Sequence, residues 1–229
     1  MKYGDPNFGS VLRDKFIRLA CELNSVDNYV PAELYFYSLI GTWLKNVKIN
    51  KGGFVKDDLR VSVVWIQNSR TGKGVLNKVT ESIAKELELS VTTTTEVTTA
   101  GLIGTIDNEA IKYNMQFGLE EGRPQRFNKK GEPLMYQNPI IKGDLGLHEL
   151  IIIDEGKTLL QPTTHTEQLL SVLQPVLDCP GWVRKKLASK YPVEYQANPT
   201  LIATTINLGN LSDILMQQGF FQRVALFIR

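Results

Sequence analysis

The spacing of apolar positions changes several times along the 229-residue chain, and each change marks an element. Up to about residue 57 the period is helical. Val11, Leu12, Phe16, Ile17, Leu19, Ala20 and Leu23 recur on one face, with Arg13, Asp14, Lys15 and Arg18 between them. Asn24-Ser25 and Asp27-Asn28 interrupt the pattern, and Pro31 suits the first turn of a second helix. Leu34 to Leu44 is apolar enough to be largely buried, so its aromatics Tyr35, Phe36, Tyr37 and Trp43 read as core. Asn50-Lys51-Gly52-Gly53 marks a turn. A β-branched run predicts a first strand at about 59–66, and beyond it Val75, Leu76, Val79, Ile83 and Leu87 follow one helical face. Val91 to Val97 predicts a second strand, because branched side chains suit a pleated surface. A small helix is expected from Ala100 to Ile106.

The stretch at about 112–143 breaks this rhythm. Arg123, Arg126, Lys129 and Lys130 among Gly122, Pro124, Gly131 and Pro133 make it basic and turn-rich. A loop this long fits a solvated insertion, and it fits contact with a nucleic-acid backbone. After Leu147-His148-Glu149, the run Leu150-Ile151-Ile152-Ile153 is apolar without alternation, as a central parallel strand buried on both faces is. Thr166 to Leu177 predicts a helix and Asn198 to Asn207 a fourth strand. Leu211 to Gln218 predicts a short helix stopped at Gly219, and Phe220 to Arg229 an arginine leading into a fifth strand. The expected class is α/β. Residues 57–229 form the core, and residues 1–56 a helical N-terminal segment packing on it.

Composition changes this picture little. The chain is 42% hydrophobic and 22% charged, ordinary for a globular protein. A formal net charge of +2 means that any nucleic-acid surface has to be a local patch. Cys21 and Cys179 lie far apart, with only His148 and His165 besides, which is no zinc spacing; both are expected to be reduced thiols. Met1 is not followed by the apolar core of a signal peptide, and no apolar run is long enough to span a bilayer. The expected location is cytoplasmic, with no membrane partner.

Candidate chemistry sits in three places. Gln67-Asn68-Ser69-Arg70-Thr71-Gly72-Lys73-Gly74-Val75 joins the first strand to a helix. Glycine lets backbone N–H groups close on an anion, the helix N-terminus adds a positive dipole end, and the lysine reaches the β- and γ-phosphates of a nucleotide. The stretch equally fits a strand-to-helix turn with a solvated lysine. Gln67 stands where the first glycine is usual, and Gly74 where a Ser or Thr ligates Mg²⁺. The second place is Asp154-Glu155, directly after the third strand, where α/β sheets hold their ligands. In a nucleotide hydrolase the first carboxylate holds Mg²⁺ and the second activates the attacking water. The third is Arg184, Lys185, Lys186 and Lys190 between Trp182 and Tyr191. These fit a solvated hairpin, or a nucleic-acid contact through counterion release and base stacking.

In order, the chain has the loop after the first strand, Asp-Glu after the third, Thr204-Thr205-Ile206-Asn207 ending the fourth and Arg223 before the fifth. This resembles the core of the AAA+ P-loop ATPases, of the ASCE type. More closely it resembles the primase-associated helicase-like ATPases of phages, plasmids and mobile elements. Thr98-Thr99-Ala100-Gly101-Leu102-Ile103-Gly104 adds to the likeness. So does Gly219-Phe220-Phe221-Gln222-Arg223-Val224, which is similar to the leucine-leucine-serine-arginine-phenylalanine segment of replicative helicases. The resemblance covers roughly residues 30 to 229.

The resemblance implies a three-layer α/β/α sandwich with a five-stranded parallel sheet, and ATP and Mg²⁺ as cofactors. It assigns phosphate binding to Lys73 and to the backbone of Asn68, Ser69, Arg70, Thr71, Gly72 and Gly74, with Val75 beside them. Asp154 becomes the metal residue, Glu155 the residue that polarises water, Asn207 the sensor and Arg223 an arginine finger. Such sites lie between subunits, which implies a homo-oligomeric ring or spiral, commonly a hexamer. Arg184, Lys185, Lys186 and Lys190 then track single-stranded or forked DNA, with a primase as a further partner. The chain stops at the fifth strand, so the small helical lid of AAA+ proteins is missing. That implies a piece of a longer polypeptide, or a lid supplied from elsewhere. The expected function is the ATP-hydrolysing motor of a replicative helicase or translocase in viral or mobile-element replication. The alternatives are an ATP-dependent DNA-binding switch or loader with little turnover, and a non-hydrolysing scaffold that keeps only the fold.

Overall fold

In the computed structural model, the residues described are 8–23, 26, 28–50, 56–95, 97–156, 164–186, 192–206 and 219–229. Helix α1 (Phe8–Arg18) runs into a π-turn (Leu19–Leu23), and α2 (Tyr29–Trp43) follows. Asn28 caps α2 by accepting from the Val30 N–H at 2.9 Å, which satisfies one of the orphan donors of the first turn. The helical pattern was expected to persist to about residue 57. Instead β1 (Lys48–Asn50) and β2 (Lys56–Asp58) pair as an antiparallel hairpin around the expected turn.

Next come β3 (Ser62–Ile66), α3 (Lys73–Glu86), β4 (Val91–Thr94) and α4 (Thr99–Ile103). The expected helix to Ile106 is cut short at Gly104, where φ of +96° turns the chain into β5 (Gly104–Ile106). The stretch read as a long loop is then partly ordered as helix and strand. Asp107 caps α5 (Asn108–Phe117), the short strands β6 (Arg126–Phe127) and β7 (Pro133–Leu134) pair, and β8 (Ile140–Lys142) returns antiparallel to β5. Asn114 closes this excursion by donating to Gln137 O at 2.6 Å and accepting from Gln137 N at 3.0 Å. One polar side chain on a helix thus does what no apolar periodicity signalled.

The remainder is α6 (Asp144–Leu147), β9 (Leu150–Ile153), α7 (Thr164–Leu177), β10 (Trp182–Lys186), β11 (Pro192–Gln196), β12 (Thr200–Thr205), a 3₁₀ turn (Phe220–Gln222) and β13 (Val224–Ile228). The short helix expected at 211–218 lies outside the described residues.

Five strands form one parallel sheet in the order β13-β3-β12-β9-β4. The central strands are buried along their lengths, which is why Val63 to Ile66, Leu150 to Ile153 and Leu201 to Ala203 carry so little polar alternation. One face of the sheet, through Val63, Trp65, Ile152 and Ile202, packs on α1, α2 and α3. The other, through Val64, Ile66, Ile151 and Ile153, packs on α4, α7, the β10–β11 hairpin and Phe220. Helices therefore cover both faces of a parallel sheet. Among the described residues no helix is long and apolar enough to cross a membrane.

Helix α2 is tied down at the starts of the strands. Ser38 donates to Val61 O at 2.6 Å, and Thr42 donates to Ser38 O and meets the Thr200 hydroxyl at 2.6 Å. Near the same end, the Arg60 guanidinium binds Asp58 at 2.6 Å, Pro199 O at 3.1 Å and Asp178 O at 3.0 Å. With the strand starts pinned, the strand ends present their loops side by side. β9 and β12 insert between β3 and β4, so the chain segments leaving β3, β9 and β12 meet in one crevice.

Candidate functional site

The loop leaving β3 is held by its own backbone geometry. The Gln67 N–H donates to Thr205 O at 3.2 Å, and its buried side chain accepts from the Trp65 indole at 2.8 Å. Gln67 thus finds a partner for its carbonyl where the usual loop has a glycine. Arg70 has φ of +65° and Gly72 φ of +87°. A Cβ on Gly72 would also stand 2.8 Å from Val26 Cα, so glycine is required there twice over. Helix α3 starts immediately, with Leu76 N–H donating to Gly72 O at 2.9 Å.

Lys73, at the first turn, folds back into the loop. Its ammonium donates to Gln67 O at 2.6 Å and Asn68 O at 2.7 Å, with Thr71 Oγ1 at 3.4 Å. Burial lowers the pKa of this ammonium, and the Asp154 carboxylate opposes the shift. The Thr71 hydroxyl itself donates to Asn68 O at 3.1 Å.

Asp154 and Glu155 leave β9 opposite this loop. Asp154 N–H donates to Thr94 O at 2.8 Å and Gly156 N–H to Thr204 O at 2.7 Å, which pins the turn between two strands. Asp154 Oδ1 accepts from the Thr204 hydroxyl at 2.8 Å. Glu155 adopts φ of +61°, a conformation rarely taken by a residue with a Cβ, and its side chain is exposed. A cavity of about 500 Å³ lies between these segments. It is lined by residues 69–75, Lys78, Asp154, Glu155 and the end of β12 at 204–206.

Behind the cavity runs a buried polar chain. Tyr35 on α2 donates to Asn77 Oδ1 at 2.8 Å, and Asn77 Nδ2 donates to Thr204 Oγ1 at 3.3 Å. Thr204 passes the chain on to Asp154. Burial, with the nearby Asp154 charge, raises the Tyr35 pKa well above its ordinary value, so the phenol stays a neutral donor. Tyr35, Asn77, Thr204 and Lys78 were not among the expected site residues. A signal existed for Asn77: it is a polar residue beside Leu76 on the inward side of an amphipathic helix. The buried face of α3 is Leu76, Asn77, Thr80 and Ala84, whereas Val75, expected inside, is exposed.

The other expected residues fall elsewhere. Arg223 precedes β13, at the end of the sheet remote from the cavity, and pairs with Asp178 at 2.7 Å. Arg184 lies on the β10–β11 hairpin, where it pairs with Glu194 at 2.9 Å and stacks over the Trp182 ring at 5.2 Å. Lys185 is half-buried on the alternate face of that strand. Asn207, Lys190 and the side chain of Lys186 lie outside the described residues.

The fit to a divalent cation rests on the donor set. Asp154 offers Oδ2, with Oδ1 engaged by Thr204. Position 74 has no side chain, although a Cβ there would stand in ordinary contact, 3.8 Å from Asp154 Oδ2. Among the described residues no three His, Cys, Asp or Glu side chains group as metal ligands. The set falls one protein oxygen short of the carboxylate–hydroxyl pair that P-loop enzymes use. Comparison with known proteins found no family model that matches the chain and no curated protein that matches it.

Proposed function

We propose that the cavity binds ATP, and that the chain is the motor domain of a replicative helicase or translocase acting on DNA in viral or mobile-element replication. One observation carries this reading. Lys73 with its glycine turn, and the Asp154–Glu155 pair, come from distant parts of the sequence and line one cavity at the strand ends. The parallel sheet with helices on both faces is compatible with a P-loop sandwich of the AAA+ type.

In this mechanism the N–H groups from Asn68 to Gly74 cradle the phosphates, aided by the α3 dipole. Lys73 exchanges its loop carbonyls for the β- and γ-phosphate oxygens. Asp154, held by Thr204, sets the charge beside the γ-phosphate, and exposed Glu155 takes up and polarises the attacking water. Asn207 serves as the sensor that reads the γ-phosphate. Arg223 acts on a neighbouring subunit's nucleotide in a ring or spiral, commonly a hexamer, and stabilises the charge of its transition state. Turnover moves the β10–β11 hairpin, with Arg184 and Lys185, along single-stranded or forked DNA, which Lys186 and Lys190 also contact, with a primase as a partner.

A second reading, an ATP-dependent DNA-binding switch or loader with slow turnover, is favoured by Gly74. ATP turnover with and without single-stranded DNA, in the parent and in Glu155→Gln, separates the two. DNA-stimulated turnover lost in Glu155→Gln supports the motor. DNA binding that needs ATP, with negligible turnover, supports the switch. Absence of nucleotide binding, with Lys73→Ala behaving as the parent, overturns both.

A further inference from the structure

The cavity is lined by two cations besides Lys73. Arg70, at the crest of the loop, and Lys78, one helical turn beyond Gly74 on α3, both line it. Neither has a hydrogen-bond or ion-pair partner among the described residues, whereas comparable surface cations do, as in Lys85 with Glu81 and Lys112 with Glu109. Lys73 is occupied by two loop carbonyls. Until Lys73 exchanges those carbonyls for phosphate, the lining cations without a partner among the described residues are Arg70 and Lys78. The hydroxyls nearby divide similarly. Thr71 and Thr204 are spent on Asn68 O and Asp154, while Thr205, which also lines the cavity, is 2% exposed and has no partner for its hydroxyl among the described residues. Beside these donors, the position that normally adds an oxygen for a metal is Gly74.

We infer that the cavity takes up a nucleoside triphosphate without a divalent cation, with Arg70 and Lys78 supplying the charge that a metal would bring. This rests on the nucleotide-binding reading above and says which form of the nucleotide is bound. Arg70 offers a planar fork suited to two phosphate oxygens, and Lys78 a point charge. Asp154 and Glu155 lie across the same cavity, so the two cations also hold the triphosphate against carboxylate repulsion.

The test is titration of the chain with a fluorescent N-methylanthraniloyl-ATP, in Mg²⁺ and in excess EDTA, with inorganic tripolyphosphate as competitor. The parent is expected to bind the probe about equally in both, and tripolyphosphate to displace it. In EDTA, Arg70→Ala and Lys78→Ala are each expected to weaken binding about tenfold, the scale of one charge-assisted contact. Lys130→Ala, outside the cavity, is expected to leave it unchanged. Gly74→Ser is expected to make binding tighter in Mg²⁺ than in EDTA. Probe binding abolished by EDTA in the parent, or unchanged in both cation variants, overturns the inference and leaves the nucleotide site standing. Failure of either probe to bind under any condition overturns the nucleotide reading, and this inference with it.

Discussion

Thr204 donates its hydroxyl to Asp154 Oδ1 at 2.8 Å, and so fixes the carboxylate that faces the candidate phosphate loop. The same hydroxyl accepts from Asn77, which accepts from Tyr35, so a helix before the sheet is coupled to the end of β9. Every member of the chain is partnered, and all but Asp154 are buried. Such a network is costly to break, because removing one partner leaves the others desolvated and unpaired.

Asn77→Ala is accordingly expected to lower stability by about 1–3 kcal/mol, because the buried Tyr35 hydroxyl loses its acceptor and the Thr204 oxygen its donor. Urea denaturation reads this directly as a lower midpoint. Thr204→Val, which keeps the shape and removes the hydroxyl, is expected to cut nucleotide turnover by freeing the Asp154 carboxylate. A midpoint and a turnover equal to the parent's in both variants would remove any structural meaning from the chain.

The two buried tyrosines give a pH dependence. Burial raises Tyr35 well above 10.0 and pushes Tyr195, whose hydroxyl donates to Ile103 O at 2.7 Å, up to about 12. A raised phenol pKa means that the unfolded chain loses the proton first. The stability Tyr195 contributes is present in full below pH 10.0 and is lost as pH rises through about 12, and that of Tyr35 is lost in the same direction. Thermal melts are expected to fall steeply over that range, and less steeply in Tyr195→Phe. Equal alkaline slopes in the two proteins would exclude Tyr195 as a source.

Much of this architecture is legible in the sequence, and where it fails the reason is physical. The buried strands were readable because residues like Ile151, Ile152 and Ile153 suit only a strand covered on both faces. The loop and the acidic pair were readable as local patterns, and their meeting at one cavity followed from strands ending on one side. The excursion at 104–142 was not readable, since its order depends on Asn114 reaching Gln137 and on strands of two or three residues. On helix α3 the expected Leu76, Ile83 and Leu87 do meet the core, but the buried face is partly polar, with Asn77 and Thr80 inside and Val75 outside. Lys78 carries no sequence signal for the cavity; only the winding of α3 brings it there.

Gly41 tests how closely α2 must lie on the strand starts. A Cβ there would stand 2.0 Å from Leu59 O and 2.8 Å from Leu59 C, and both are backbone atoms that cannot swing aside. Gly41→Ala is expected to destabilise by about 1–3 kcal/mol through overpacking, despite alanine's better helix propensity. Because α2 carries Tyr35, nucleotide binding is expected to weaken as well. A melting temperature at or above the parent's would mean that the contact relaxes without cost.

Arg223 carries the sharpest test of assembly. It sits at the start of β13, while the cavity lies at the ends of the strands, about 16 Å away along five residues. Within its own chain it pairs with Asp178 across a half-exposed contact of the kind worth about 0–1 kcal/mol, weak enough to be exchanged for a phosphate oxygen. An arginine so placed does not reach its own chain's cavity, so in the proposed ring it would act on a neighbour's nucleotide. Arg223→Ala and Glu155→Gln are therefore each expected to silence turnover while preserving the fold. Mixed in equal amounts, they are expected to regain activity at about a quarter of the interfaces, those where an intact Glu155 faces an intact Arg223 from the other variant. Light scattering on the same mixture reports whether subunits associate when ATP is present. Association without any regained turnover would place the essential arginine elsewhere and leave Arg223 as a partner of Asp178 and the Gly219 carbonyl within its own chain.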